Sequence, residues 1–363
     1  MSVRPAVLAA AWLAAALAAC EHSAPFSAGD YAPHAPFNAP PPPLARLTLN
    51  PGTDLAPAWL AGDGGILYTA ERLDRVDHDR CFAVLPPAGG TISRYACRTS
   101  AADDSIDVFD DAALAVDGRI AYVRVRSHRL PGQPITPDVQ ALVVATLADP
   151  NDVRVLRPLA YSMPSGRIHQ GISHLGWLTP SRLVYLGERV TYPQACSGCP
   201  PDTVRTGIEV VTLDFAGATP VLAAVPTTDS ASSVAVGGAT GDTIYFTRNG
   251  DSRVYRYAFS SGRTDTVYDF GVAGIARDVG FANGRLVAVV GGDVTYVVDS
   301  VLGAAQVDHG GELHFVTLAT GAETVIGNAT SRFRRPAFAP GGTRVAAELW
   351  TNGSADLWLL DAP

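Results

Sequence analysis

Cys196-Ser197-Gly198-Cys199-Pro200 is the sharpest chemical signal in this chain of 363 residues. Two thiols separated by two residues can form a redox pair, half of a zinc site or part of a haem attachment. Haem is excluded, because Pro200 stands where that attachment needs a histidine. Zinc needs two further ligands, and the neighbouring candidates are poor. A reactive thiol needs the lowered pKa of a helix N-terminus, and no helix is predicted there. A loop disulfide between Cys196 and Cys199 is the simplest expectation, with redox and metal roles as the alternatives. Cys81 and Cys97 flank a second candidate. Pairing Phe82 with Ala96 across the hairpin between them sets the two thiols opposite each other, as a cross-strand disulfide requires.

The remaining chemistry-bearing residues are scattered. Asp77-His78-Asp79, His169 with His174, and Asp308-His309 could converge on a metal, but the chain has only 8 histidines, and spacing alone does not bring them together. No metal and no cofactor are expected. The acidic run Asp103-Asp104-Ser105-Ile106-Asp107 with Asp110-Asp111 lacks the ordered Asp-x-Asp-x-Asp-Gly of a calcium loop and reads as a solvated acidic loop. There is no Gly-x-Ser-x-Gly, so nucleophilic hydrolysis has little support and no catalytic residue is assigned. The formal charge is -8, with all 27 basic side chains being arginine and no long basic run. That excludes a surface built to gather phosphates, and nucleic acid with it.

The elements that must position these residues are strands. From residue 44 onward the chain alternates short Val-, Leu-, Ile-, Tyr- and Thr-rich segments with Gly, Asp, Asn and Pro turns, and no helical period appears. Trp59 to Tyr68 is echoed by Ala113 to Tyr122, with the Asp-Gly turn in the same register and a spacing of 54 residues. Further copies run from Trp177 to Tyr185, Val236 to Tyr245, Phe281 to Val289 and Phe338 to Ala347. Each is a strand, a tight turn and a second strand, and each is followed by another hairpin. Asp-Gly, Asn-Gly and Gly-Gly suit two-residue hairpins because those turns need positive φ. The arithmetic predicts an all-β, six-bladed β-propeller of four-stranded antiparallel blades. The last unit lacks an outer strand, and a spare strand, Arg46 to Leu49, precedes the first; it is expected to close the ring.

Before the strands, Arg4 precedes an apolar run from Ala6 to Ala19, too short to cross a bilayer permanently, which reads as a signal peptide. Leu17-Ala18-Ala19-Cys20 resembles the lipobox of bacterial lipoproteins. The resemblance implies cleavage of residues 1–19, a lipid on Cys20, and a location on the periplasmic side of the outer membrane or at the cell surface. Residues 20–43, ending in a proline run, then form a tether, and residues 44–363 form the propeller. Arg335-Pro336-Ala337-Phe338-Ala339-Pro340-Gly341-Gly342, followed by Asp356-Leu357-Trp358, resembles the WD-like repeat of TolB-type β-propellers, with Ala56-Pro57-Ala58-Trp59 as a looser match. What this implies is a fold rather than an activity.

Loop lengths suggest where function lies. The segments Glu71 to Arg80, Arg98 to Asp110, Arg126 to Val139, Tyr161 to Ile172, Glu188 to Gly207 and Ser300 to Gly311 are long and fall at one end of the expected propeller. The turns at the other end are short. Long loops on a rigid scaffold are where binding usually resides. The candidate contacts on that face are Asp103, Asp104, His128, Arg129, His169, Arg189, Asp308, His309, Arg332 and Arg334. The leading expectation is a monomeric, lipid-anchored, non-enzymatic module that binds an envelope protein or peptide. The alternatives are a propeller enzyme, a lyase or hydrolase, or a glycan-binding surface protein, each using the central funnel.

Overall fold

The computed structural model describes residues 44–48, 52–71, 80–89, 92, 94–96, 105–128, 136–158, 161–162, 168–191, 204–238, 240–292, 294–299, 303–308, 310–328, 330–351 and 354–363. Cys20, Cys97, Asp103, Asp104, Arg129, Cys196, Cys199 and His309 lie outside them, as do the expected signal and tether.

The described chain is all β apart from two short 3-10 turns. The hairpins expected from Asp117-Gly118, Asn283-Gly284 and Gly341-Gly342 form, pairing Ser105–Leu114 with Arg119–His128, Ile275–Ala282 with Arg285–Gly291, and Phe333–Phe338 with Arg344–Thr351. Their second turn residues sit at φ 82°, 74° and 71°, the left-handed region that glycine enters without a Cβ clash.

Six strands line the middle of the molecule: Asp54–Trp59, Ser105–Leu114, Ile168–Thr179, Ala231–Val236, Ile275–Ala282 and Phe333–Phe338. Each packs against the next, and the last packs against the first. The sheets behind them correct the expected architecture. Four blades stand as sheets of their own: those that begin at Ala231 and Ile275, the one that ends the chain, and the one that begins at Ile168, which carries Tyr161–Ser162 as a fifth strand. Among the described residues the strands do not form six separate four-stranded blades. The first two strand groups are joined by a parallel bridge between Arg80 and Val108 into one eight-stranded sheet. Turn chemistry specifies hairpins, whereas edge-to-edge pairing of this kind leaves no sequence signature.

The ring closes through both ends of the chain. Leu44–Arg46 pairs antiparallel with Ser354–Asp361, aligning Leu44 with Leu360 and Arg46 with Trp358. The expected closing strand therefore exists, beginning two residues earlier than Arg46.

The apolar cores lie between neighbouring sheets. One joins Val287, Leu313 and Phe315 to Val345 and Trp358; another joins Ile66 and Tyr68 to Leu47, Ala346 and Leu357. Each fully buried Val, Leu, Ile or Phe contributes about 1.5–3 kcal/mol relative to exposure. Two tryptophans staple adjacent inner strands. Trp59 Nε1 donates to the Ala337 carbonyl at 2.9 Å, and Trp177 Nε1 donates to the Ala113 carbonyl at 3.0 Å. The guanidiniums of Arg344 and Arg119 lie over their rings, 5.1 and 5.0 Å from the centroids.

Several segments expected to be loops are partly strand. The ladder Asp107–Arg126–Val139 continues through two of them, and pairing of Val190 with Arg205 and of Thr191 with Val204 extends a third. Within Ser300 to Gly311, Gly303–Asp308 pairs with Val294–Asp299 as a separate two-stranded hairpin. These stretches are rich in charged and polar residues, so they lack the apolar alternation by which a half-buried strand is recognised.

Candidate functional site

Five residues outside glycine share an unusual backbone on the inner strands: Ala56, Asp111, His174, Asp278 and Arg335, with φ of 51°, 51°, 54°, 30° and 47°. Each falls where the register with the next strand shifts, as in a β-bulge. A bulge adds one unpaired residue and re-aims its side chain, and positive φ costs such residues about 1–3 kcal/mol each. The bulges bring four of these side chains to one cavity of ≈ 220 Å³, walled by Asp111, His174, Asp278 and Arg335 with Phe281 and Phe338.

The four are joined to one another. Arg335 grips Asp111 through both terminal guanidinium nitrogens, Nη1 donating to Oδ1 and Nη2 to Oδ2, the latter at 3.3 Å. The His174 ring meets Asp278 through Nε2 at 3.0 Å, and its other nitrogen, Nδ1, lies 3.2 Å from the Ser173 hydroxyl. Backbone groups complete the ring. The His174 N–H donates to Asp111 Oδ1 at 3.3 Å, and the Arg335 N–H donates to Asp278 Oδ2 at 3.1 Å. On the fourth inner strand Ser233 takes the equivalent part, its hydroxyl accepting the Val279 N–H at 2.9 Å. At Ala56, which has no polar side chain, Glu348 reaches in from the second strand of the last blade and accepts the Ala56 N–H at 2.8 Å. The N–H groups of Ala56, His174, Val279 and Arg335 are thus each met by an oxygen from another strand, whereas that of Asp111 is met on its own strand by Asp110 Oδ1 at 2.8 Å.

Carboxyl groups outnumber guanidiniums here, with Asp110, Asp111, Asp278 and Glu348 gathered around Arg335. Burial would raise the Asp278 carboxyl, but the His174 ring and Arg335 outweigh it and hold the group well below the usual carboxylate range. Burial pushes Glu348 up against the pull of Arg335. Burial and the adjacent Asp111 carboxylate push Asp110 up against Arg335 and Arg80. Arg335 itself, despite burial, is held charged by Asp111, Glu348 and Asp110.

The depressed Asp278 carboxyl has a consequence for stability. A carboxyl whose folded pKa lies below its unfolded value contributes stability that is complete above the unfolded pKa, about 3.9, and is lost as pH falls through the folded value. Asp278→Asn should therefore be less stable than the parent by a constant amount at neutral pH. That gap should narrow below about pH 4, as this carboxyl protonates in the unfolded parent while staying ionised in the folded one. Chemical unfolding of both proteins from pH 3 to 7 checks this; a gap of constant size would refute it.

Most sequence-derived candidates lie elsewhere. Of the expected binding face, His128 ends the strand Arg119–His128, and His169 sits opposite Arg189 in a ladder. Asp308 ends the separate hairpin. Arg189 pairs with Asp229 at 2.9 Å and approaches Glu209 at 3.8 Å. Arg334 lies over the Trp350 ring, 4.8 Å from its centroid, and Arg332 is exposed, its carbonyl accepting the Trp350 N–H at 3.1 Å. Asp110 and Asp111 are not in a solvated acidic loop: they lie on an inner strand, and the Asp111 side chain is only 8% exposed. His174 turns to Asp278 rather than joining His169, and among the described residues no three His, Cys, Asp or Glu side chains are placed to hold a metal ion. Cys81, buried on its strand, is the only described cysteine. Cys81 is disulfide-bonded; its expected partner Cys97, like Cys196 and Cys199, lies outside the described residues.

The convergence of the axial residues was not expected, although the sequence carries a signal for it. Asp110-Asp111-Ala112-Ala113-Leu114, Ser173-His174-Leu175-Gly176-Trp177, Arg277-Asp278-Val279-Gly280-Phe281 and Arg334-Arg335-Pro336-Ala337-Phe338 share one order. In each, two polar residues are followed by an apolar one, a small one and a large apolar one. The repeat units expected from the sequence begin at Ala113, Trp177, Phe281 and Phe338, each after the polar pair.

No protein-family model and no curated protein matches the chain. Among solved structures it is similar to a gluconolactonase from Xanthomonas campestris, at 14% identity and a TM-score of 0.54 over 91% of each chain. It is also similar to an oligogalacturonate lyase from Vibrio parahaemolyticus, at 10% identity and a TM-score of 0.52 over 90% of this chain and 96% of that one. TolB from Acinetobacter baumannii overlaps with a TM-score of 0.46 at 13% identity, over 83% of this chain and 65% of that one. The likenesses above 0.5 show the β-propeller fold. The specific TolB-like, WD-like reading is corrected: no family match carries it, and the sheet pattern differs from the six blades it implied. No described helix is long and apolar enough to cross a membrane.

Proposed function

We propose that the protein is an enzyme of the hydrolase class that works through its axial cavity on a small neutral ester or lactone, with His174 moving the proton. The observation that carries this is the Asp278 oxygen 3.0 Å from His174 Nε2 at the cavity wall. An ionised carboxylate can only accept, so in the neutral form of the imidazole the proton sits on Nε2 and Nδ1, 3.2 Å from the Ser173 hydroxyl, carries the lone pair that takes a proton. The partners of Asp111 and Asp278 leave no surplus positive charge with which to hold an anionic substrate, which favours a neutral one. The gluconolactonase and the oligogalacturonate lyase bring one further consideration, since both are named for action on sugar-derived molecules. Of the two chemistries, lactone opening suits a neutral substrate.

The test is hydrolysis of a panel of sugar lactones and p-nitrophenyl esters by the parent and by His174→Ala. The expected loss of kcat/KM is about 10²–10⁴-fold, the usual range for a positioned acid-base group, with cavity binding of the product retained. A parent that hydrolyses nothing above the buffer rate, or a variant equal to the parent, would refute the proposal.

A further inference from the structure

We infer that Phe281 and Phe338 are specificity-determining residues that receive an alkyl group of the substrate, so that the cavity takes an alkyl-substituted lactone or ester in preference to a hydroxylated one; the inference rests on the hydrolase reading above and deepens it. It starts from where the cavity lies. The His174 ring reaches Asp278, and the Arg335 guanidinium reaches Asp111. In the order of the six inner strands each of these contacts skips one strand, so the two run across the ring rather than around it. On each inner strand the described lining residues start at the bulged residue, or on the fourth strand at the residue after Ser233, and continue only toward the C-terminal end of the strand. The charged crossing is therefore the floor of the cavity, and its walls rise toward the end where short turns lead into the second strands.

Those walls are apolar. Apart from Asp111, His174, Asp278 and Arg335, every lining residue is Ala, Val, Leu, Pro, Gly or Phe. Phe281 and Phe338 stand three residues beyond Asp278 and Arg335, roughly 10 Å further along a strand at about 3.3 Å per residue. Both are half-buried and held from behind by another ring: Phe281 stacks on Tyr245 with centroids 4.1 Å apart, and Phe338 meets Phe315 edge-on at 6.3 Å. A neutral lactone with its carbonyl on the floor beside His174 thus carries its substituent up between these rings. An alkyl group gains there by leaving water. A hydroxyl, as on a sugar lactone, gives up its water partners and finds no side-chain donor or acceptor on the walls, a mismatch that an apolar pocket penalises by about 100-fold.

Calorimetric binding of δ-valerolactam, its propyl and pentyl derivatives and gluconolactam to the full-length protein tests this, since lactams are lactone analogues that resist hydrolysis. The expected result is a Kd that falls about fourfold for each added methylene, with gluconolactam bound more weakly than the unsubstituted ring. In Phe281→Ala and Phe338→Ala the gain should drop below about twofold per methylene, whereas Phe281→Leu and Phe338→Leu, which keep an apolar wall, should retain most of it. A merely structural role would weaken all the lactams by one common factor. No binding of any lactam, an affinity in the parent that ignores chain length, tighter binding of gluconolactam, or alanine variants that keep the full gain per methylene overturns the inference; if the alanine variants do not fold, the parent series and the leucine variants decide it. The two readings fail separately. If the lactams show the chain-length gain but the parent hydrolyses none of the matching lactones, the aromatic pair stands and the hydrolase reading falls. If the lactones are all hydrolysed at one kcat/KM and the lactams show no gain, the hydrolase reading stands and the aromatic pair falls.

Discussion

Arg335→Met should destabilise the protein by about 3 kcal/mol, the low end of the range for removing one partner of a buried ion pair. The low end applies because the Arg335 side chain is 28% exposed, whereas Asp111 is only 8% exposed. The loss arises less from the missing attraction than from what remains. Asp111 loses both guanidinium donors and retains the His174 N–H on Oδ1, and Glu348, whose Oε1 lies 4.0 Å from Arg335 Nε, loses that cation. Backbone strain is unchanged, since methionine at φ 47° carries the same penalty as arginine. Replacing Asp111 with leucine as well should recover much of the stability, because the uncompensated carboxylate is then gone. Urea unfolding of the parent, both single variants and the double variant measures the coupling. If the double variant is destabilised by the sum of the two single losses, Arg335 and Asp111 act independently and the axial account is wrong.

How far the sequence could be read follows from which interactions leave a local mark. Asp117-Gly118 and Asn283-Gly284 announce hairpins because the left-handed backbone of those turns is a property of two adjacent residues. Phe82 pairs with Ala96 as expected, since a short hairpin has little freedom of register. The closing strand was legible for a similar reason: a last unit with one strand too few needs a partner from outside it. The parallel bridge from Arg80 to Val108 was not, because neither residue differs from an ordinary edge residue. The cavity was not legible either, for a different reason. Asp111 and Arg335 are 224 residues apart, and each alone looks like a surface charge. They become partners only once successive inner strands are arranged around an axis. What the sequence does hold is the position, two polar residues ahead of the apolar-small-large apolar end of each inner strand. With that phase in hand, Asp111, His174, Asp278 and Arg335 fall on equivalent places, and their convergence follows from the fold.

Ring closure gives the other large effect. Removing residues 44–48 should destabilise the protein by more than Leu47→Ala alone, which is itself expected to cost about 2–5 kcal/mol. Leu47 is fully buried and packs with Trp59, Ile66 and Tyr68 of the first sheet and with Ala346 and Leu357 of the last. Its loss therefore opens a cavity at the seam where the two ends of the chain meet. The backbone adds to this. The Leu47 N–H donates to the Leu357 carbonyl at 2.8 Å, and the Leu357 N–H donates to the Thr48 hydroxyl at 2.9 Å. Arg46 Nη2 donates to Asp356 Oδ2 at 2.7 Å, and burial of Asp356 already pushes its carboxyl up against that pull. Without the segment, Ser354–Asp361 becomes an unpaired edge beside an apolar face, the arrangement that invites pairing with another chain. The truncated protein should melt at a lower temperature than Leu47→Ala and should associate as its concentration rises, measured by thermal unfolding and light scattering. A truncation that melts with the parent would mean that Leu44–Arg46 does not hold the ring shut, and an unchanged Leu47→Ala would mean that the seam is not packed as described.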